Sequence, residues 1–402
     1  MLNIGNFIAK YVTKRPESMF QGDLRTHQSA LTEAIEGKSV LVIGGAGSIG
    51  SSYIKALLPF KPKTLVVVDI SENGLTELTR ELRSTSAFTV PDDYVTYPMN
   101  YADDTFVKMF KARGGFDIVA NFSAHKHVRS EKDKYSVEAL LKNNVVNAKK
   151  FLDLLCDYRP QHFFCVSTDK AANPVNIMGG SKKIMEDMIM AYADLFPVTT
   201  ARFANVAFSN GSLPAGFLER IAKNQPLSAP SDVTRYFVSP EESGQICLMA
   251  CILGTTGQIY FPKLKKEQVL TFSEIATQLL KDLGYAPLEC KSEAEAIAKA
   301  ESRKETDKWY PVYFSKSDTT GEKPYEEFYT EGEQVALDRY ASLGVISLQS
   351  FKKITEIESF IDRLERFVKP NLPTEELISY VTAIVKDAKE LISFGERRLA
   401  LD

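Results

Sequence analysis

The sequence has few of the residues that mark disulfide-bonded or metal-binding proteins. Its 402 residues include only five cysteines and four histidines. The cysteines are odd in number and lie mostly in apolar segments, which predicts buried, reduced thiols rather than a disulfide framework. Cys247 and Cys251 have helical spacing but no histidine pair nearby, so we expect no zinc site. This cysteine usage favours a reducing compartment, the cytoplasm.

Long apolar runs and a strong net charge are also absent. No hydrophobic run reaches the roughly 18 residues that a membrane span requires, and the start of the chain shows no cleavable signal pattern. The formal net charge of −3 gives no electrostatic basis for binding nucleic acid or an anionic membrane. With 44% hydrophobic residues, the composition is that of a globular protein with one large core or two unequal domains.

A glycine-rich stretch follows the first predicted strand. Residues 39–43 are apolar and β-branched, which predicts a buried parallel strand, and residues 51–58 predict a helix. Glycines between these elements permit a tight turn and a close approach of the backbone to a pyrophosphate, which the helix N-terminus also attracts. The predicted dinucleotide-binding turn comprises Gly44, Gly47, Ser48, Ile49 and Gly50.

Asp69 directly follows the second predicted strand, residues 64–68. It lies about 20 residues after Gly50, where a carboxylate can accept hydrogen bonds from both hydroxyls of an adenosine ribose. A carboxylate there would repel a 2′-phosphate, so NAD is favoured over NADP. The alternative is that Asp69 only caps the helix that begins near Ser71. Its position after the glycine-rich turn favours contact with the cofactor.

The stretch 165–182 contains the residues with the clearest chemical potential. Thr168, Asp169 and Lys170 follow an aromatic-rich predicted strand, residues 162–166. Open α/β sheets bind their ligands at this end of parallel strands. The alternative, a solvated ion pair at the strand end, is disfavoured because neighbouring strand residues point to opposite faces.

A second polar loop follows the fourth predicted strand, residues 116–120. It contains His125 and His127, but no carboxylate or cysteine lies at metal-ligand spacing, so contact with nicotinamide or substrate is favoured over a metal site. In the next predicted helix, residues 138–158, Asn144 is either a satisfied core amide or a brace for the central stretch, and burial rules do not separate these two interpretations.

Six predicted strands alternate with helices up to residue 203, which is typical of an α/β, Rossmann-type doubly wound parallel sheet. This alternation of strands and helices ends at residue 205. After it we expect a smaller C-terminal substrate-binding domain, and at the two ends of the sequence we expect helical extensions. Residues 2–12 are expected to form a short amphipathic helix that packs on the protein, with membrane contact as the alternative. The predicted division is 1–37 for the N-terminal extension, 38–204 for the NAD-binding domain, 205–345 for the substrate-binding domain and 346–402 for the C-terminal helices.

Taken in order, these motifs resemble the extended short-chain dehydrogenases. More narrowly, they resemble the UDP-N-acetylglucosamine 4,6-dehydratases of bacterial polysaccharide and nonulosonic-acid synthesis. The resemblance covers about residues 38–345. It rests on the glycine-rich turn, Asp69, Lys126-His127-Val128, Ser167-Thr168-Asp169-Lys170-Ala171, Lys182, Arg202 with Asn205-Val206, Thr234-Arg235-Tyr236-Phe237 and Gly321-Glu322-Lys323.

The resemblance implies a reaction on a UDP-sugar with tightly bound NAD. The sugar is oxidised at carbon 4, loses water across carbons 5 and 6, and is reduced at carbon 6, so that NAD ends as it began. A homo-oligomer is also implied. The implied cofactor contacts beyond the glycine-rich turn and Asp69 are Asn100, Ser123, Ala124 and Lys182. The implied substrate contacts are Lys126, His127, Asn205, Ser212, Arg235, Glu322 and Lys323, although an exposed turn pair is the alternative for the last two.

The implied catalytic residues are Thr168, Asp169, Lys170, Met178 and Lys182. Asp169 is favoured as the acid for the carbon 6 hydroxyl and Lys170 as the base at carbon 5, which requires a protonated Asp169 and a neutral Lys170. The opposite assignment stays open. Thr168 is expected to bind oxygen 4 of the sugar.

The chain departs from the family pattern at three positions. Asn100 stands where the family usually has aspartate, and Asn210 stands where it usually has arginine. Met178 replaces the tyrosine of the general Tyr-x-x-x-Lys signature, as in a branch that retains the configuration at carbon 5. Two other functions remain possible from the sequence: a UDP-sugar 4-epimerase, which Asp169 and Lys170 argue against, and an NAD-sensing regulatory protein without catalysis.

Overall fold

The computed structural model describes residues 2–127, 134–174, 176–317 and 326–367. Glu322, Lys323 and the part of the predicted C-terminal helices that follows residue 367 lie outside these ranges. The strands, in chain order, are β1 (Ser39–Ile43), β2 (Thr64–Asp69), β3 (Asp93–Pro98), β4 (Ile118–Asn121), β5 (His162–Val166), β6 (Val198–Ala201), β7 (Asn205–Val206), β8 (Leu227–Pro230), β9 (Thr234–Val238), β10 (Gln258–Pro262), β11 (Val269–Thr271), β12 (Ala286–Glu289), β13 (Trp309–Ser315), β14 (Val335–Ala336) and β15 (Leu343–Ser347).

The helices surround the largest sheet on both faces and also cover the small ones. In chain order they are α1 (Ile4–Phe7), α2 (Gln21–Thr26), α3 (Gln28–Ile35), α4 (Ser48–Leu57), α5 (Glu72–Arg83), α6 (Asp104–Ala112), α7 (Lys134–Leu141), α8 (Ala148–Asp157), α9 (Ile177–Ala191), α10 (Leu213–Ala222), α11 (Pro240–Leu253), α12 (Phe272–Asp282), α13 (Glu293–Ser302) and α14 (Ile354–Phe367). Across the described ranges, none of these helices combines the length and hydropathy needed to cross a bilayer.

The first six strands form a parallel sheet in the spatial order β3-β2-β1-β4-β5-β6. This confirms the predicted Rossmann-type α/β fold. The central strands are buried along nearly their whole length, as both faces of a parallel sheet are covered by helices. The strand order reverses between β1 and β4, so their carboxyl ends border the crevice where such folds bind ligands.

The chain after residue 204 contributes to more than one sheet. β10 extends the parallel sheet beside β6, and β15 then pairs antiparallel with β10. The other strands of this part form two small sheets, ordered β11-β9-β7 and β12-β13-β8, while β14 lies at the edge of the main sheet. The segment 205–345 therefore supplies both the main sheet and the small sheets, and its role as a substrate-binding domain remains a prediction.

Two helices differ in detail from their predicted positions. The helix expected over residues 138–158 contains a π-helical turn, Lys142–Asn147, between α7 and α8. The helix expected from Lys182 onward begins earlier, because Asn176 caps α9 by accepting from the backbone N–H of Gly179 at 2.7 Å. Met178 and Lys182 are therefore both on α9, about one turn apart.

The first residues of the chain pack on the protein, as predicted. Phe7, Ile8 and Val12 are buried in a core that they share with residues of α10, α12 and the small sheets. Further along, Asp23 is also buried, and its carboxylate accepts from the backbone N–H groups of Ala341 and Ser342 at 2.7 and 2.8 Å. The N-terminal region is thereby fixed to the strand connection that precedes β15.

Candidate active site

The glycine-rich turn between β1 and α4 brings two loops into close contact. Gly44 has a φ of 73°, a left-handed conformation that side chains rarely adopt. A Cβ on Gly44 would lie 2.8 Å from the carbonyl carbon of Phe122, and one on Gly50 would lie 2.3 Å from the carbonyl oxygen of Gly44. The turn therefore requires glycine at both positions. It leads into the N-terminus of α4, whose first N–H groups have no partner within the helix and form a cradle suited to a pyrophosphate.

Asp69 lies at the end of β2, where two backbone N–H groups hold its carboxylate. Oδ2 accepts from Ala46 at 3.0 Å, and Oδ1 accepts from Ser71 at 2.9 Å. The contact with Ala46 places the carboxylate against the glycine-rich turn, as a ribose-binding role requires. The contact with Ser71 agrees with the alternative of a helix-capping role, since Ser71 is the N-cap of α5. Both contacts are present, and the cofactor role stays a prediction.

The other residues predicted to contact the cofactor, apart from Lys182, lie at the carboxyl ends of β1, β3 and β4. They are Gly47, Ser48, Ile49, Asn100, Ser123 and Ala124. Asn100 accepts from the backbone N–H of Ala102 at 2.9 Å through its side-chain oxygen. Asn121 accepts from the N–H of Ser123 in the same way, also at 2.9 Å. These short-range bonds fix the loops that border the glycine-rich turn.

Lys126 and His127 lie where the loop after β4 meets the loop before α10. Lys126 Nζ donates to the carbonyl of Asn210 at 2.9 Å, and the N–H of Asn210 donates to Ser48 Oγ at 2.7 Å. A Cβ added to Gly211 would lie 3.1 Å from Nε2 of His127, so these two residues are in contact. Burial lowers the pKa of Lys126. Within the described part of the chain, no three His, Cys, Asp or Glu side chains are grouped as metal ligands.

Ser212, predicted to bind substrate, has a structural partner. It is the N-cap of α10, and its Oγ accepts from the backbone N–H of Ala215 at 3.4 Å. The residue lies in the same loop as Asn210, close to the predicted substrate contacts. Its hydroxyl is nevertheless already used in starting the helix, and a substrate contact stays a prediction.

Asp169 and Lys170 form an ion pair directly after β5. Lys170 Nζ lies 3.3 and 3.4 Å from the two carboxylate oxygens of Asp169, and Thr168 Oγ1 donates to Oδ1 of Asp169 at 2.6 Å. The expectation that neighbouring side chains diverge here is wrong, because Asp169–Ala171 form a 3₁₀ turn instead of continuing the strand. The Asp169 side chain is only 5% exposed, so this pair is not a solvated surface pair.

Glu326 joins this site, although the sequence analysis gave it no role. Its Oε1 accepts from Nδ2 of Asn205 at 2.6 Å, and its Oε2 accepts from the backbone N–H of Tyr236 at 2.9 Å. Arg235 Nε lies 3.9 Å from Oε1. Asn205 and Arg235, both predicted as nucleotide contacts, therefore converge on one buried carboxyl group. In the sequence, this glutamate stands in a polar stretch that looks like an exposed loop.

The charges of these groups affect one another. Burial raises the pKa of Glu326 and the charge of Asp169 raises it further, to about 8. Burial acts to lower the pKa of Lys170, but the charges of Asp169 and Glu326 outweigh it, and this pKa is raised. Lys170 is thus an ammonium here, in contrast to the neutral amine that its predicted role as a base requires. Lys170 must therefore lose its proton before it can act as that base.

Met178 and Lys182 lie behind the ion pair, on α9. Both are buried, with exposed fractions of 2% and 3%. Lys182 Nζ donates to the carbonyl of Val166 at 2.9 Å, which joins α9 to the end of β5. Burial lowers the pKa of Lys182. In this state the ammonium therefore binds the protein backbone, and its predicted contact with a nicotinamide ribose stays a prediction.

The π-helical turn directs Asn144 between the loop after β4 and α9. Its Oδ1 accepts from the N–H of His125 at 2.8 Å, and its Nδ2 donates to the carbonyl of His125 and to Ser181 Oγ, each at 3.0 Å. Of the two interpretations of Asn144, bracing by hydrogen bonds is the one observed. π-Helical turns occur frequently at functional sites, since the extra residue redirects a side chain.

A buried ion cluster lies beneath the site. The guanidinium of Arg202 donates to both Glu186, at 2.7 and 2.9 Å, and Glu333, at 2.8 and 2.9 Å. Glu186 also accepts from Ser167 Oγ at 2.6 Å, and Arg202 Nη1 donates to the carbonyl of Phe328 at 3.1 Å. The cluster ties residues 328–333 to the ends of β5 and β6, and thereby holds the segment that begins with Glu326.

A glycine-rich turn after β1 of a parallel sheet, with a buried charged cluster beyond β5, defines an α/β protein with a Rossmann-type fold. Within this fold class, the chain belongs to the family described as polysaccharide biosynthesis protein, whose sequence model matches residues 40–342. The chain is 31% identical over 317 residues to an uncharacterized membrane protein of Methanocaldococcus jannaschii, which covers 77% of this chain and 85% of that protein. It is 27% identical over 259 residues to an inverting UDP-N-acetylglucosamine 4,6-dehydratase of Campylobacter jejuni, covering 62% and 72% of the two chains.

The fold is also shared with solved structures. The chain resembles DesIV, a dTDP-glucose 4,6-dehydratase of Streptomyces venezuelae with NAD and TYD bound, with a TM-score of 0.55 and 18% identity over 72% of this chain and 88% of that chain. This likeness supports the fold. The chain spans about half the length, 49%, of two bacterial relatives from polysaccharide biosynthesis.

Proposed function

We propose that this protein is an NAD-dependent 4,6-dehydratase of a UDP-sugar, with UDP-N-acetylglucosamine as the expected substrate. The observation that carries the proposal is the ion pair of Asp169 and Lys170 at the carboxyl end of β5, near the glycine-rich turn. Elimination of water needs an acid and a base close together, and this pair supplies both. The family and the Campylobacter jejuni relative support a dehydratase of polysaccharide biosynthesis.

The residues around the glycine-rich turn fit NAD. Gly44 and the N-terminus of α4 would hold the pyrophosphate, Asp69 the adenosine ribose, Asn100 the adenine and Lys182 the nicotinamide ribose. The bound cofactor would supply the oxidation at sugar carbon 4 and the reduction at carbon 6. The dehydratase structure with a similar fold contains NAD, which supports the same cofactor here.

The catalytic residues must move four protons in balance. Two leave the sugar, from oxygen 4 and carbon 5, and two return, to the departing carbon 6 hydroxyl and to carbon 5. In this proposal Thr168 receives the proton of the carbon 4 hydroxyl and passes its own to Asp169, to which it already donates at 2.6 Å. Lys170 must by then be neutral, its own proton having been released to solvent as the substrate binds, so that Asp169 stays free for the proton from oxygen 4. Asp169 then protonates the leaving hydroxyl, and Lys170 accepts the carbon 5 proton and later returns it to carbon 5. The opposite division of these last two roles balances if the proton from oxygen 4 passes to Lys170 instead of Asp169.

The nucleotide would bind beside this pair. Arg235 on β9 is 4% exposed, and Asn205 lies on the neighbouring strand β7, paired in register with Phe237. We expect Arg235 and Asn205 to bind the diphosphate through charge-assisted hydrogen bonds. Lys126 and His127 would border the sugar nucleotide. Glu322 and Lys323 remain predicted contacts outside the described residues.

Incubation with UDP-N-acetylglucosamine, followed by NMR of the products, tests the proposed function. A dehydratase yields a 4-keto-6-deoxy sugar nucleotide, a 4-epimerase yields the galacto isomer, and a regulatory NAD-binding protein yields neither. A panel of other UDP-sugars in the same assay identifies the preferred substrate. Formation of the galacto isomer alone would replace the proposal with an epimerase.

Asp69→Ala should weaken NAD binding by about 10- to 100-fold, since charge-assisted hydrogen bonds contribute about 1.5–3 kcal/mol each. NAD should also co-purify with the unchanged protein. Calorimetric titration of the cofactor-depleted protein measures the loss, with Asp92→Ala as a control because Asp92 is exposed. NADP in the purified protein, or an unchanged NAD affinity in Asp69→Ala, would contradict the role of this carboxylate.

The methionine at position 178 leads to a prediction about the stereochemistry of the product. A tyrosine at this place would take the carbon 4 hydroxyl proton, but a thioether has no proton to exchange, so Asp169 must do so through Thr168. As in the methionine-bearing branch that the chain resembles, we expect retention at carbon 5. In deuterated water the product should have deuterium at carbon 5 and the coupling constants of the D-xylo ketone.

The alternative outcome is inversion at carbon 5, and the Campylobacter jejuni relative is an inverting enzyme. An L-arabino ketone would contradict the prediction of retention. Met178→Tyr should not raise activity, because the surrounding groups already act without a phenol. A large gain in that variant would show that methionine impairs the site.

A further inference from the structure

Glu326 is a buried carboxyl group that the proposed reaction does not use. Its side chain is 2% exposed, and it lies between the two residues that the proposed function assigns to the diphosphate, Asn205 and Arg235. A carboxylate in this position competes with a phosphate for the same positive charge. The arrangement therefore poses an electrostatic problem for nucleotide binding.

The position of Glu326 is built into the fold. Two residues further along, the carbonyl of Phe328 accepts from Arg202 at 3.1 Å, and the Phe328 ring stacks on Phe261 with centroids 6.1 Å apart. The backbone N–H of Tyr236 binds the carboxyl directly at 2.9 Å. These anchors, one directly after β6 and the others on β9 and β10, hold the carboxyl at the site. Moving the segment so that Glu326 leaves the site would break all of these contacts.

We propose that Glu326 is a positioning residue of the diphosphate site, which orients Asn205 and Arg235 and holds a proton whenever the diphosphate is bound. The inference rests on the proposed function. A protonated carboxyl still accepts a hydrogen bond from Asn205 but no longer neutralises Arg235. The diphosphate then competes with one negative charge fewer at the guanidinium, which favours its binding.

Among the described residues, the titratable and charged groups that act on Glu326 come from two elements, besides the neutral amide of Asn205 on β7. Asp169 and Lys170 lie on the 3₁₀ turn after β5, and Arg235 and Tyr236 lie on β9. Burial and the charge of Asp169 raise the pKa of Glu326 to about 8, against the opposing effect of Lys170 and Arg235. Bound diphosphate adds negative charge to this set and favours the protonated form still more.

The proton on Glu326 also affects the catalytic pair. An ionised Glu326 helps to keep Lys170 as an ammonium, since its charge raises the pKa of Lys170. A neutral Glu326 removes that contribution. Binding of the nucleotide would therefore bring Lys170 closer to the neutral amine that its role as a base requires.

Calorimetric titration with UDP between pH 7.5 and 9.0 tests the inference, since in this range a terminal phosphate is fully ionised and the uracil ring still largely keeps its proton. The purified full chain with its bound cofactor is used, in buffers of low and high ionisation enthalpy, so that proton uptake is measured directly. If only the protonated form binds and its pKa is about 8, the apparent affinity for UDP should fall about 8-fold across this range. Proton uptake should approach about one per UDP at the alkaline end.

Glu326→Gln supplies the matched comparison, because the amide is neutral at every pH and still accepts a hydrogen bond. In this variant the affinity for UDP should be nearly independent of pH, and proton uptake should disappear. Glu331→Gln, an exposed site in the same segment, should behave as the unchanged protein.

Three results would overturn the inference. The first is binding of UDP to the unchanged protein without proton uptake. This result needs no variant, so it would overturn the inference even if Glu326→Gln failed to fold. An equal pH dependence in both proteins would assign the titration to another group, such as Lys126, whose pKa burial lowers. Absence of UDP binding at every pH would refute the proposed function and, with it, the role of Glu326.

Discussion

Replacement of Asp169 with asparagine should lower the rate of 4,6-dehydration by about 10²–10⁴-fold, the usual contribution of a general acid or base. An amide has nearly the shape of the carboxylate and can still accept the bond from Thr168, but it cannot exchange a proton. Lys170 loses its charged partner in the same variant. The affinity for UDP should change far less than the rate, since the predicted nucleotide contacts lie on other elements and Asp169 acts on them only through the pKa of Glu326.

A product assay beside a calorimetric UDP titration separates these effects. Lys170→Ala should lose activity to a similar degree, because it removes the other member of the pair. Asp157→Asn, an exposed site at the end of α8, serves as the matched control and should retain full activity. Near-normal turnover in Asp169→Asn would show that the chemistry lies elsewhere.

Arg202→Met should destabilise the protein by about 3–5 kcal/mol, the typical cost of breaking a buried ion pair. The guanidinium is fully buried, and its loss leaves the carboxylate of Glu186, 1% exposed, without its cationic partner. Glu333 and the carbonyl of Phe328 lose a donor as well. Chemical denaturation followed by circular dichroism measures the change.

The matched control is Arg80→Met, since Arg80 and its partner Glu77 are 72% and 73% exposed. An ion pair of this kind contributes less than about 1 kcal/mol. A similarly small loss in Arg202→Met would mean that the buried cluster contributes little. Glu326 is held by the same segment, so the variant should also bind UDP less tightly.

The parts of the fold that depend on local sequence patterns could be predicted from the sequence. The apolar run before Gly44 and the helix after it need only neighbouring residues, and the parallel sheet follows from the repetition of such units. The start of α9 was placed too late, because glycines are poor helix formers and two of them stand in its first turns. The structure shows why Gly179 is there, as a Cβ on it would lie 2.6 Å from the carbonyl oxygen of Lys170.

The candidate site could be predicted only in part, because sequence patterns report on neighbouring residues and not on contacts between distant ones. Asp169 and Lys170 stand out in sequence because they follow an obvious strand. Glu326 does not, since its partner Asn205 lies 121 residues earlier and no local pattern connects them. The conformation of residues 169–171 was also missed, because a 3₁₀ turn at a strand end has no strong local signal.

The contact between Asp23 and the backbone at residues 341 and 342 joins positions 318 residues or more apart. Ribosomal synthesis reaches those partners only after most of the chain has emerged. Until then, the buried carboxylate near the start of the chain has no donors from this connection, and Glu326 and Glu333 arrive at nearly the same time. Closure of such long loops is entropically costly and slow compared with local folding. The strands and helices of the first part of the main sheet can therefore form early, whereas the candidate site and the N-terminal region become fixed together, only after residue 342 has been synthesised.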